Sequence, residues 1–150
     1  MQKLFVKKMN SNKKPIKFYT MILNIASTRN ISEIQSDFNS LYPYLKIEFY
    51  PVNGNAGKTQ RRHLQSSIPV KNAGLTRSGS IEINDCMTVG ELENIFRTQF
   101  GLAAQVSRKS GILWLETTMT DKWTLKQQND HGKELSEPVI HNHYTDRYDA

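Results

Sequence analysis

A chain of 150 residues, 37% hydrophobic and 23% charged, has the composition of an ordinary soluble domain and enough length to bury a core. No apolar run approaches the ~20 residues needed to cross a bilayer, and Met1 to Ile16 lacks the apolar stretch of a signal peptide, so a cytoplasmic protein with no membrane partner is expected. The single cysteine, Cys86, excludes an internal disulfide framework.

The net charge of +6 is unevenly spread. Residues 1–79 hold nine lysines and four arginines against Glu33, Asp37 and Glu48, a net of +10, whereas residues 80–150 carry a net of −4. Such an asymmetry points to an anionic partner for the first half, or to halves that complement each other between copies.

The first 17 residues carry six lysines and read as a basic flexible arm, with a short edge strand at Leu4, Phe5 and Val6. Phe18 to Ala26 has the β-branched and aromatic content of a strand. A helix follows, capped by Asn30 with Glu33 in the capping-box position, striped by Ile34, Phe38 and Leu41, and stopped by Pro43. Leu45 to Tyr50 alternates and reads as a strand. Val52 to Ser78 lacks a sustained period and reads as a long basic loop or extended hairpin.

Gly79 to Asn84 alternates again, with Ile81 and Ile83 on one face. The next helix has signals at both ends: Thr88 and Glu91 form a capping box, Met87 and Leu92 a hydrophobic staple, and Gly101 a left-handed stop. Leu92, Ile95, Phe96 and Phe100 are its apolar stripe. Ala103 to Lys109 and Ile112 to Thr117 read as strands joined by a tight turn at Ser110-Gly111. The run Ile112-Leu113-Trp114-Leu115 is apolar on both faces, which predicts a doubly covered core strand. A last short helix is expected from Thr124, paired with Gln127, to Gly132.

The order strand–helix–strand, twice, predicts an α+β fold: a two-layer sandwich whose mostly antiparallel sheet carries the helices on one face, in ferredoxin-like element order. Residues 18–136 form a single domain on this reading, with the loop 52–78 inside it and a polar tail at 137–150.

Few motifs carry chemistry. Gly54-Asn-Ala-Gly-Lys58-Thr59 follows a strand like a phosphate loop, but Val52 stands where that loop needs a glycine. A nucleotide-binding protein or small enzyme using Gly54–Thr59 is therefore the alternative rather than the main expectation. His141, His143 and Asp146 lie in a tail without a second shell to orient them. No nucleophile–base set is supported, and no cofactor or metal is implied.

The basic clusters are the better candidates: Lys58, Arg61 and Arg62 in the long loop, and Arg108 and Lys109 near the hairpin tip. Arginine pairs bidentately with phosphate or carboxylate. The main expectation is thus a non-catalytic binding module for nucleic acid or an acidic protein surface, with a homo-oligomeric assembly as a further alternative.

The motifs Met87-Thr-Val-Gly-Glu-Leu-Glu, Phe100-Gly-Leu, Arg108-Lys-Ser-Gly, Trp114-Leu-Glu-Thr-Thr and Trp123-Thr-Leu together resemble a small family of uncharacterised bacterial proteins. The resemblance spans residues 80–136. It implies an intact domain in a bacterial cytoplasmic setting, and carries no assigned activity, ligand or site residue with it.

Overall fold

The alternating and helical spacings become, in the computed structural model, β1 (Gln2–Val6), β2 (Lys17–Ile25), α1 (Ile31–Leu41), β3 (Leu45–Tyr50), β4 (Gly79–Asn84), α2 (Val89–Phe100), β5 (Ala103–Ser110), β6 (Leu113–Glu116) and α3 (Leu125–Ser136). The structure describes residues 2–6, 17–52 and 62–138. The fold is α+β with antiparallel pairing throughout these strands.

The expected β–α–β–β–α–β order runs from β2 to β5. Its strands divide, however, between two three-stranded sheets, β1-β2-β4 and β3-β5-β6, instead of joining a single sheet. Helix α1 lies against β2 and β3, and α2 against β4 and β5, so each helix spans both sheets. A third helix, α3, covers β5 and the start of β3. Their apolar faces meet in one core, in which Leu23, Phe38, Ile47, Phe49, Ile83 and Phe96 are fully buried.

Local signals act as their chemistry requires. Thr88 Oγ1 accepts from Glu91 N–H (3.1 Å) and the Glu91 carboxylate accepts from Thr88 N–H (2.8 Å), closing the box that starts α2. The same reciprocal pair forms between Thr124 and Gln127 at α3. Gly101 takes φ 70° and ends α2, the conformation glycine adopts without a Cβ penalty.

Two expectations change. The segment after β3 is not a featureless loop where it is described: Leu64 N–H donates to Phe49 O (2.7 Å), Val70–Ala73 form a 3₁₀ turn, and Val70 is buried in the core. Gly132 does not end α3, which continues to Ser136. A Cβ at position 132 would stand 2.9 Å from Tyr44 Cβ and 3.0 Å from Arg108 Cγ, so the glycine serves close approach of α3 to the second sheet. Cys86 is exposed.

Candidate functional site

The β5–β6 hairpin turns one residue later than its sequence suggests. Ser110 pairs with Leu113, leaving Gly111 (φ 62°) and Ile112 as the two-residue loop. The turn's move by one residue shifts the pairing by two, so each residue of β6 keeps the face expected from the alternation while its partner changes: Trp114 meets Lys109 instead of Ser107. Leu113 and Leu115 therefore share the helix-covered side with Arg108, while Trp114 and Glu116 share the opposite side with Lys109 and Ser107.

This hairpin also overturns the expected core strand. The run Ile112–Leu115 is exposed: Ile112 95%, Leu113 60%, Trp114 37% and Leu115 44%. Strand β6 is the edge of its sheet, beyond the reach of α2 and α3 to cover on both faces. Apolar content on both faces came from an open edge rather than from two covering layers. Met119 and Trp123, just after it, are exposed as well.

The two edges of this sheet are treated differently. On β3 the three carbonyls that point away from β5 are all occupied: Asn39 Nδ2 donates to Leu45 O (2.9 Å), Gln35 Nε2 to Ile47 O (2.8 Å) and Leu64 N–H to Phe49 O (2.7 Å). On β6 the polarity of the ladder is set by Thr117 N–H, which donates to Val106 O (3.3 Å), and by Lys109 N–H, which turns to Tyr44 O on the β3 side (2.9 Å). Antiparallel bonds alternate, so Leu113 and Leu115 bond to β5 and the backbone groups of Trp114 and Glu116 face outward. Among the described residues nothing meets them.

Charged groups flank this edge on both sides. On the outer side the Lys46 ammonium reaches diagonally over the Trp114 ring, 5.1 Å from its centroid, and Ser107, opposite Lys46 on β5, is buried; Lys46 is also paired with Glu48 at 2.9 Å. On the inner side Arg108 Nη1 donates to the fully buried Gln128 (Oε1, 2.7 Å), and the guanidinium lies 5.9 Å from the Trp123 ring. Gln128 is itself held by Thr120, whose carbonyl and hydroxyl accept from Nε2 at 2.7 and 2.8 Å. Among the described residues no carboxylate pairs with Arg108 or Lys109. Where β6 gives out, the Glu93 carboxylate accepts from Val106 N–H (2.9 Å). Burial, with Asp121 and Glu116 nearby, raises the Glu93 pKa against the lowering effect of that bond.

Of the five basic residues singled out by sequence, Lys58 and Arg61 lie outside the described residues, as does the Gly54–Thr59 motif. Arg62 is exposed where the chain returns to the β3 edge. Arg108 and Lys109, adjacent in sequence, are sent to opposite faces of β5 and do not form one cluster. His63 stands 4.0 Å from Glu48 in a shallow polar groove that also holds Ser32, Gln35, Asn39 and Lys46. The residues that sequence reasoning missed as a site are Leu113, Trp114, Leu115 and Trp123. The apolar residues on both faces of Ile112–Leu115 were visible in the sequence, but that pattern is shared by a doubly covered strand and an open edge.

No family model, curated protein or solved structure matches this chain. Among the described residues no helix is long and apolar enough to cross a membrane, and no group of three or more His, Cys, Asp or Glu is placed to hold a metal ion.

Proposed function

We propose that this chain is a non-catalytic binding module that takes an extended, acidic-apolar segment of a protein partner along the open edge of β6. The single observation that supports this most is the contrast between edges: β3 is closed by side chains from α1 and by Leu64, while among the described residues nothing meets the outward backbone groups of β6, and its leucines are exposed. An edge with unmet N–H and C=O groups is a template for another strand, and strand addition draws affinity from the main chain and specificity from alternate side chains. Arg108 and Lys109, both lacking acid partners among the described residues, favour carboxylates on the incoming segment.

The test is a fluorescence-anisotropy titration with labelled peptides alternating Leu and Glu, run beside single-stranded and double-stranded oligonucleotides at two salt concentrations. Peptide binding that Leu113→Lys abolishes is the expected result. Oligonucleotide binding that falls steeply with salt, as counterion release requires, and that ignores Leu113→Lys would replace the protein partner with a nucleic acid.

A further inference from the structure

The segment that fits the β6 edge can be specified further, and this step rests on the strand-docking function just proposed. An incoming antiparallel strand must place apolar side chains on the side of Leu113 and Leu115, where Trp123 and the helix-covered face continue the apolar surface. On the other side it must bring an acidic group toward Trp114, whose ring has the Lys46 ammonium above it and Lys109 as its cross-strand neighbour. The strand must also have its own backbone unpaired on one side.

Of the edge strands whose side chains are described, β6 meets these requirements with its apolar residues still exposed, whereas β4, with Ile81 and Ile83 inward and Glu82 outward, has them buried in its own core. In β6, Leu113 and Leu115 are the inward residues, Glu116 is the outward acid, and Trp114 and Glu116 carry the unpaired backbone groups. We propose that β6 pairs with β6 of a second copy about a two-fold axis, joining two three-stranded sheets into one continuous sheet.

A two-fold axis relating antiparallel strands runs perpendicular to the sheet, so each residue must meet its equal or one an even number of positions away. Centring on Leu115 sets Trp114 opposite Glu116 of the second copy. These are the positions whose backbone groups point outward, and the pairing exchanges their N–H and C=O reciprocally. The two Leu115 side chains then meet directly on the helix side, at a close, non-hydrogen-bonded position. Glu116 of each copy comes to the Trp114 that carries Lys46, which gives the contact its charge complementarity. Centring on Trp114 would instead send Glu116 to Ile112 in the turn, away from both lysines.

The closed β3 edge gives the assembly its limit. A chain with two open edges on one sheet could add copies without end, whereas an isologous contact through one edge closes at the dimer. The contact is also apolar and backbone-mediated between chains of net charge +6. Added salt screens both their mutual repulsion and the Glu116–Lys46 attraction, so dimerisation depends only weakly on salt, unlike polyanion binding or a contact between oppositely charged halves.

The experiment is sedimentation velocity on the full chain from low to high micromolar concentration, at low and high salt, for the wild type, Leu115→Lys and Leu113→Lys. Disulfide trapping of Leu115→Cys and Leu113→Cys, each in a Cys86→Ser background, is run beside it. The expected result is a wild-type dimer whose dissociation constant rises at least about tenfold in either lysine variant, as for a central contact residue. Leu115→Cys should trap covalently much faster than Leu113→Cys, whose opposite residue in this register is Thr117. Both lysine variants must keep the wild-type circular dichroism, which the exposure of these leucines predicts. A wild-type chain that stays monomeric, a dimer indifferent to both lysine variants, or trapping at Leu113 in preference to Leu115 overturns the proposal. A monomer that binds the Leu–Glu peptides through β6 retains strand docking and loses only the second copy as its occupant. A monomer that binds none loses both.

Discussion

Gly132 and Glu93 show how single side chains tie the candidate edge to the body of the protein. In an exposed helix interior, replacing glycine by alanine gains about 1 kcal/mol. At Gly132 the added methyl meets Tyr44 Cβ at 2.9 Å, which belongs to rigid chain beside β3 and cannot swing aside. Gly132→Ala is therefore expected to destabilise by about 1–3 kcal/mol in spite of the better propensity, measured by urea unfolding. Glu93 presents a different balance. Its raised pKa means that the ionised form is disfavoured in the folded state. The sign follows: relative stability is greatest below the ordinary glutamate range and declines as pH rises through the raised folded value. Glu93→Gln keeps an oxygen to accept from Val106 N–H and removes the ionisation, so it should be at least as stable as wild type at neutral pH, with the difference closing in acid. Glu93→Ala leaves Val106 N–H without its partner and should cost about 1–3 kcal/mol at every pH. Paired pH series of urea midpoints decide both points.

At the scale of elements, α1 and α2 are built from capping residues and apolar stripes that act within a few positions of each other, and their boundaries fall where the side-chain chemistry puts them. Strand β6 obeys a different rule, because its environment is set by what lies beyond it. Its leucines are exposed at 60% and 44%, against 0% for Ile47 and Val106 in the same sheet. Leu113→Lys should accordingly change the stability of the diluted, monomeric chain by no more than about 0.5 kcal/mol, whereas Val106→Ala, in the fully buried row of β5, should cost about 1–3 kcal/mol. Equal losses at the two positions would return β6 to the core.

For the molecule as a whole, one buried cluster draws residues from both sheets and all three helices described. Helices α1 and α2 each bridge the sheets, so neither sheet can lose its inner face without exposing the other's. A single cooperative transition is expected, with Trp fluorescence and far-ultraviolet circular dichroism giving coincident urea curves; separated curves would divide the chain into two units. The charge asymmetry, conspicuous in the sequence, has less presence on the described surface around β6. Lys46 is paired with Glu48, Arg108 is held by Gln128, and Lys109 faces the other way from Arg108.

What the sequence by itself determined were the features governed by near neighbours: the capping boxes at Thr88 and Thr124, the stripe Leu92–Phe96–Phe100, the alternation of Leu45–Tyr50 and Gly79–Asn84, and with them the α+β class. Tertiary structure alone decided which strands lie side by side, because pairing depends on partners distant in the chain. It placed the turn at Gly111–Ile112, and that single step set which β5 residue each residue of β6 meets, Trp114 against Lys109 and Leu115 against Arg108. It set Gly132 against Tyr44 rather than at a helix end. It left Ile112–Leu115 open, since an apolar residue reports only that burial is favourable, and whether this chain or another supplies the cover is a property of the assembled surface.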